Sequence, residues 1–224
     1  MTRLVLWDID HTLIDTRGVG RELSASAFAR TTGRPMHEQA KIDGITEAVI
    51  FRETARLHGI TTDRSDFKRF ARALTHEHLK RLAELRERGH ALPGAAAALA
   101  ALAADGVRQT VVSGNIRAVA QIKLQVFGLD TRILWDLGAF GEDDDVRAEL
   151  VRLSLQRANT TADNAVLIGD TPADIAGAHA NGVRVIAVAS GRSDEATLRS
   201  AGAETVLSDL RDTELLVKLV HASA

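Results

Sequence analysis

Two aspartates spaced by one residue, in Asp8-Ile9-Asp10-His11-Thr12-Leu13, directly follow the apolar run Leu4–Trp7. Two more apolar runs end in polar groups, one at Ser113-Gly114-Asn115 and one at Gly169-Asp170-Thr171-Pro172-Ala173-Asp174. Carboxylates gathered without Cys or His partners suit a hard, oxygen-seeking cation such as Mg²⁺. Asp170 and Asp174 are four apart, so a helix starting at Pro172 leaves both on one side of its first turn, able to share one ion or its waters. Ser113, followed by Gly114 and a helix beginning near Asn115, offers a hydroxyl and free N–H groups at a positive helix end, a ready anion site. A cation site facing an anion site suggests phosphate.

These groups meet only if the runs that carry them lie side by side. Leu4–Trp7, Gln109–Val112, Ala165–Ile168, Arg184–Val188 and Thr205–Leu207 read as buried parallel strands. Helical patterns separate most of them: one opens at Pro93-Gly94 and ends near Asp105-Gly106, one runs from Ile116 to Val126, and one from Asp174 to Ala180 stops at Asn181-Gly182. The alternation predicts an α/β doubly wound sheet, whose ligands sit at the carboxyl ends of the strands. Residues 17–89 break the pattern. They show no convincing strand, and Thr75–Arg88 reads as an amphipathic helix with Leu74, Leu79, Leu82 and Leu85 near one face. An insertion of roughly 70 residues is too long for a crossover. It is expected to be a small helical second domain, with residues 1–16 and 90–224 forming the core.

The ordered set Asp-x-Asp-x-Thr, hydrophobic-Ser-Gly-Asn and a late Gly-Asp acidic pair resembles the haloacid dehalogenase superfamily of hydrolases, and the motifs spread from Asp8 to Asp174. The early helical insertion is similar to the cap of its phosphoglycolate and sugar phosphatases. The resemblance implies a Rossmann-like core and a Mg²⁺-dependent phosphatase acting on a small phosphorylated metabolite. It also implies roles. Asp8 is the expected nucleophile, forming an aspartyl-phosphate, and Asp10 the acid–base group. Thr12 is expected to fix the loop, and Ser113, Gly114 and Asn115 to hold phosphate oxygens. Asp170 and Asp174 complete the metal site with Asp8 and the carbonyl of Asp10. Asp43-Gly44-Ile45-Thr46-Glu47 resembles the cap loop laid over the substrate, which makes Asp43, Gly44 and Thr46 substrate candidates. A dehalogenase fits less well, because those enzymes need no metal and lack the second aspartate. A phosphosugar mutase and an inactive regulatory member are the alternatives.

Two departures from the family pattern matter. The usual Lys-Pro pair before the late acidic strand is absent, so the cation for nucleophile and phosphate is assigned to Lys123, the only Lys between the second motif and Asp170, with Arg147 in reserve. His11 stands where the family usually has Gly, and His is among the residues that tolerate positive φ. His76 and His78, two apart on a helix, point to different faces and make a poor metal pair. Trp7 and Trp135 read as packing residues, and Asp143-Asp144-Asp145 as a solvated acidic loop.

Composition is consistent with this reading. The 224 residues are 45% hydrophobic and 26% charged with a formal charge of −2, giving no electrostatic case for nucleic acid or an anionic membrane. With no Cys, thiol nucleophiles and Cys-ligated metals are excluded. Met1-Thr2-Arg3 leads straight into the first strand with no signal-peptide pattern, and no run approaches about 20 apolar residues, so a cytoplasmic protein is expected.

Overall fold

The computed structural model describes residues 3–222; Met1 and Thr2, at the head of the expected leaderless start, lie outside them. Five strands form one parallel sheet: β1 (Leu4–Trp7), β4 (Arg108–Val111), β5 (Ala165–Gly169), β6 (Arg184–Val188) and β7 (Thr205–Leu207), in the order β4-β1-β5-β6-β7. The expected Gln109–Val112 strand starts one residue earlier; Val112 bonds to Trp7 but also makes an isolated bridge to Ala139.

The core follows from β1 being buried on both faces. Val5 and Trp7 point to one side, against α5 (Ala95–Ala104), α6 (Arg117–Val126) and α10 (Thr213–His221). Leu4 and Leu6 point to the other, against α7 (Arg147–Arg157), α8 (Pro172–His179) and α9 (Glu195–Ser200). Trp7 is packed as expected, and its indole N–H donates to Gln109 at 3.0 Å. Trp135 lies in a 3₁₀ turn and stacks with Phe140.

Between β1 and α5 the chain forms α1 (Val19–Thr32), α2 (Glu47–Leu57), α3 (Arg64–Lys80) and α4 (Leu82–Arg88), bracketed by a two-residue antiparallel pair, β2 (Ile14–Asp15) with β3 (His90–Ala91). These helices bury Leu23, Phe28, Phe51, Phe70, Leu74 and Leu85 together and add Ile116 and Val119 from the α6 region. The single helix expected over Thr75–Arg88 is a correction. α3 begins eleven residues earlier at Arg64, under an Asp63–Asp66 capping box, and the helix breaks at Arg81. The apolar face shifts with it, so Leu79 is 54% exposed while Phe70 and Leu74 are buried. The two-residue strands were not legible, because so short a pairing carries no period. Among the described residues, no helix is long and apolar enough to cross a membrane.

Candidate active site

The parallel register determines what meets at the strand ends. Trp7 stands level with Val111 on one side and Ile168 on the other, so the residues that follow, Asp8, Ser113 and Asp170, converge. Asp8 N–H donates to the Ile168 carbonyl at 2.9 Å. Thr12 Oγ1 donates to Asp170 Oδ1 at 3.0 Å, tying the first loop to the last. Helix α8 starts at Pro172 as expected, with Thr171 as N-cap and Asp174 closing the capping box.

One oxygen from each of Asp8, Asp170 and Asp174 can be chosen so that all lie within 4.8 Å of one another, and all three side chains are buried. Asp174 also orients its neighbours: Oδ1 accepts from Arg147, and Oδ2 from the Thr171 N–H at 3.1 Å and hydroxyl at 2.7 Å. Asp8 is held more loosely, with Oδ1 accepting from Arg147 and Oδ2 meeting Thr12 Oγ1 at 3.5 Å. The Asp10 carboxylate is not in this group: Lys123 Nζ reaches both its oxygens at 2.8 Å, and Asn115 Nδ2 donates to Oδ2 at 2.7 Å.

Half of the role expected of Lys123 is corrected: it serves Asp10 and the Asn115 carbonyl, also at 2.8 Å, and the cation on Asp8 is the reserve candidate Arg147, whose Nη2 donates to Asp8 Oδ1 at 2.7 Å. Arg147 is the first residue of α7, and its stem crosses α8 at Gly177, where a Cβ would come 3.1 Å from Arg147 Cγ. One terminal nitrogen of the guanidinium, Nη2, donates to both Asp8 and Asp174, and the planar group fixes the direction of the two bonds.

A cavity of about 160 Å³ opens above these groups. Asp8, Asp10, Ser113, Gly114, Asn115, Lys123, Asp170 and Asp174 line it, with Asp43, Gly44, Ile45 and Glu47 on the far wall. The loop before α2 is pressed close. Glu47 N–H donates to the Gly114 carbonyl at 2.8 Å, and a Cβ on Gly114 would meet the Ile45 carbonyl oxygen at 2.3 Å. Gly44, at φ +69°, packs where a Cβ would lie 2.3 Å from that of Ala173. Thr46 is corrected: it is buried away from the cavity wall, donating to the Asp145 carbonyl at 3.3 Å. The acidic run is also less solvated than expected, since Asp143 pairs with Arg157 and Asp145 with Arg52.

A haloacid dehalogenase-like hydrolase model matches residues 5–179, most of the chain, and a second, HAD-hydrolase-like model matches 147–213. The chain belongs to the haloacid dehalogenase-like hydrolases. It is 28% identical over 222 residues to a phosphoglycolate phosphatase of Rhodospirillum rubrum, covering 93% of this chain and 88% of that one. In fold it is similar to a hydrolase from Pseudomonas syringae, with a TM-score of 0.72, 21% identity and full coverage of both chains. It is also similar to a putative beta-phosphoglucomutase from Bacteroides vulgatus, with a TM-score of 0.67 and 19% identity over 98% of this chain and 88% of that one.

The electrostatics of this HAD-like hydrolase favour a bound cation. Asp8, Asp10, Asp170 and Asp174 bring four carboxylates against only Lys123 and Arg147. Burial, with Asp174 adding to it, pushes Asp8 up to about 7 despite Arg147; burial, with Asp8 and Asp174 beside it, pushes Asp170 up to about 9. Two carboxyls that hold protons for want of counter-charge are what a divalent, oxygen-ligated ion would neutralise. Burial acts to raise Asp10 as well, but the Lys123 ammonium and the Asn115 hydrogen bond outweigh it and hold the carboxylate below its usual range.

His11 adopts φ 64°, as its place in a family glycine position suggested, and its carbonyl accepts from Ser190 Oγ at 2.7 Å. The same segment brings Gly191 against Asp170, where a Cβ would lie 1.9 Å from Oδ2. Nothing in the sequence marks this glycine out from other loop glycines. Gly191→Ala must push the Asp170 carboxylate aside, and a displacement near 1 Å at a reacting group costs about 100-fold. The expected result is that loss in kcat/KM, read from initial rates of the variant and the wild type.

Glu47 is the unforeseen titrating group. Burial pushes its carboxyl up to about 7, with Lys123 opposing and Asp10 reinforcing the rise. The folded protein therefore keeps a proton that the unfolded chain releases above its ordinary value of 4.5, and stability declines as pH climbs from about 4.5 to 7. Glu47→Gln removes that decline. The variant should gain on the order of 1 kcal/mol over the wild type by pH 7.5 and nothing at pH 4.5, checked by urea unfolding at the two pH values.

Proposed function

We propose that this HAD-like hydrolase is a Mg²⁺-dependent phosphatase that cleaves a small organic phosphate monoester, phosphoglycolate-like or sugar-phosphate-like, through an aspartyl-phosphate on Asp8. The reading is carried by one observation: Asp8 sits buried at the end of the central strand with Arg147 on one oxygen, while Asp10, two residues on, is held separately by Lys123 and Asn115. Two carboxylates in different charge environments are suited to different tasks. Similarity to a phosphatase over nearly the whole chain supports the reaction type.

In this account the Asp8 carboxylate attacks phosphorus, the ester P–O bond breaks, and Asp10 gives its proton to the leaving alcohol oxygen. Asp10 then takes a proton from a water that attacks the same phosphorus, releasing inorganic phosphate and restoring Asp8. The resting carboxylate of Asp10 is the form needed for this second half. In the first half the substrate phosphate draws the Lys123 ammonium from Asp10, which frees that carboxyl to hold a proton. Ser113 and the Gly114 and Asn115 main chain hold the transferring oxygens, and Arg147 keeps Asp8 aligned. Asp8, Asp170 and Asp174, with the Asp10 carbonyl, would hold Mg²⁺, which would offset repulsion between carboxylate and phosphate. Residues 17–89 serve as a cap over the site, and a cavity of about 160 Å³ suits a metabolite rather than a phosphoprotein.

The test is hydrolysis of p-nitrophenyl phosphate with Mg²⁺ and with excess chelator. Turnover that needs added Mg²⁺ is expected; equal turnover in chelator contradicts the account. Phosphate release without a bisphosphate activator separates the phosphatase from a mutase.

A further inference from the structure

The cap side of the cavity holds two polar groups that the reaction at Asp8 does not use. His78, on α3, lines the cavity and is only 2% exposed, and its Nε2 has no hydrogen-bond partner. Its Nδ1 lies 2.9 Å from the Leu74 carbonyl oxygen, which can only accept. Nδ1 therefore carries the proton and Nε2 presents a lone pair. Burial, helped by the Lys123 ammonium, lowers the imidazole to about 4, so the ring stays neutral at physiological pH. Lys123 cannot satisfy Nε2, because its three donors already go to the two Asp10 oxygens and Asn115. Glu47 is the second group. It lines the same cavity and is half-buried. A fully buried acceptor such as His78 Nε2 is costly to leave unmatched unless a ligand supplies the donor.

Both groups accept hydrogen bonds, and one is acidic. We propose that Glu47 and His78 form the leaving-group subsite, and that it selects phosphate esters whose organic part carries hydroxyl groups, such as sugar or polyol monophosphates, over esters bearing a carboxylate. The inference rests on the phosphatase reading above. A hydroxyl can donate to His78 Nε2 and to Glu47, whereas a carboxylate has no proton to offer Nε2, and Glu47 adds repulsion as it ionises above about pH 7. Arg21 also lines the cavity, but it lies exposed to solvent, where a cation gives a carboxylate little.

The experiment compares kcat/KM for ribose 5-phosphate, glycerol 3-phosphate and 2-phosphoglycolate, with p-nitrophenyl phosphate as a control, in the wild type, Glu47→Gln, His78→Phe and His78→Gln. In the wild type the hydroxylated esters should exceed 2-phosphoglycolate by about tenfold or more, the worth of one good hydrogen bond in a buried site. Glu47→Gln should raise 2-phosphoglycolate relative to the other two. His78→Phe should lower the hydroxylated esters about tenfold, and His78→Gln, which keeps an acceptor, should restore part of that loss. A wild type that prefers 2-phosphoglycolate, or does not discriminate, overturns the inference even if all three variants fail to fold. Activity on p-nitrophenyl phosphate alongside such a result leaves the phosphatase reading standing; no turnover of any ester overturns that reading and the subsite with it.

Discussion

Asp8→Asn should abolish turnover, with kcat on p-nitrophenyl phosphate falling by at least about 10,000-fold, because the amide cannot form the covalent link on which both half-reactions depend. The protein should stay folded. Asp8 is one of several buried carboxylates that outnumber their cations, and burial already raises it to about 7, so a neutral isostere relieves repulsion while Arg147 keeps Asp174 as partner. A melting temperature within a few degrees of the wild type, beside lost activity, separates a chemical defect from unfolding. A chain reduced to a regulatory role would show no activity to lose.

Arg147→Ala is expected to damage both stability and chemistry. It leaves Asp8 and Asp174 buried without the guanidinium that serves both, and breaking a buried pair from one side costs about 3–5 kcal/mol. Urea unfolding should register that loss, and kcat/KM should fall by about 1,000-fold as Asp8 loses its alignment. Arg147→Lys keeps the charge but puts a compact ammonium on a shorter stem, without the planar group that fixes the direction of the bonds to Asp8 and Asp174. It should recover most of the stability and much less of the activity. Lys123→Ala should differ in kind. Asp10 loses the charge that holds it ionised, so the pH dependence of kcat should move more than the stability does.

The contrast between these two cations shows where sequence reasoning reaches its limit. Asp8, Asp10, Ser113 and Asp170 were legible because each follows an apolar strand directly, and parallel register then leaves little choice about where their side chains go. The helix start at Pro172 was legible for an equally local reason, and the Thr171–Asp174 capping box that sets it was seen only in the structure. Arg147 lies many residues from any motif, on a helix with no distinctive pattern. Its arrival at Asp8 depends on how α7 packs across Gly177 of α8, and that contact has no local signal. Lys123, two turns beyond Ser113, was rightly expected at the site, but a single side chain can face either carboxylate, and Asn115 decides for Asp10.

The same division holds in the helical segment. The length of the insertion after β1 was plain, and so was its helical character. The break at Arg81 and the burial of His78 rather than Leu79 were not, because Leu74, Leu79, Leu82 and Leu85 keep an acceptable period on paper. Phe70 and Leu74 pack instead against α1, and that rotation carries His78 to the cavity. The need for glycine at 191, and the packing reason for it at 114, were hidden for another reason: a Cβ would strike the Asp170 carboxylate at the first and the Ile45 carbonyl oxygen at the second, both from segments distant in sequence. Tertiary approach, not turn geometry, requires glycine there.

The central claim is that Asp8 carries the phosphoryl group between the two half-reactions. It is tested most directly by mixing the enzyme with a phosphate ester labelled on phosphorus, quenching in acid during turnover, and mapping the label by peptide mass. One phosphoryl group on the peptide containing Asp8 is predicted, accumulating further in Asp10→Asn, where the second half-reaction lacks its base. Steady hydrolysis with no label on that peptide in either protein would contradict the account.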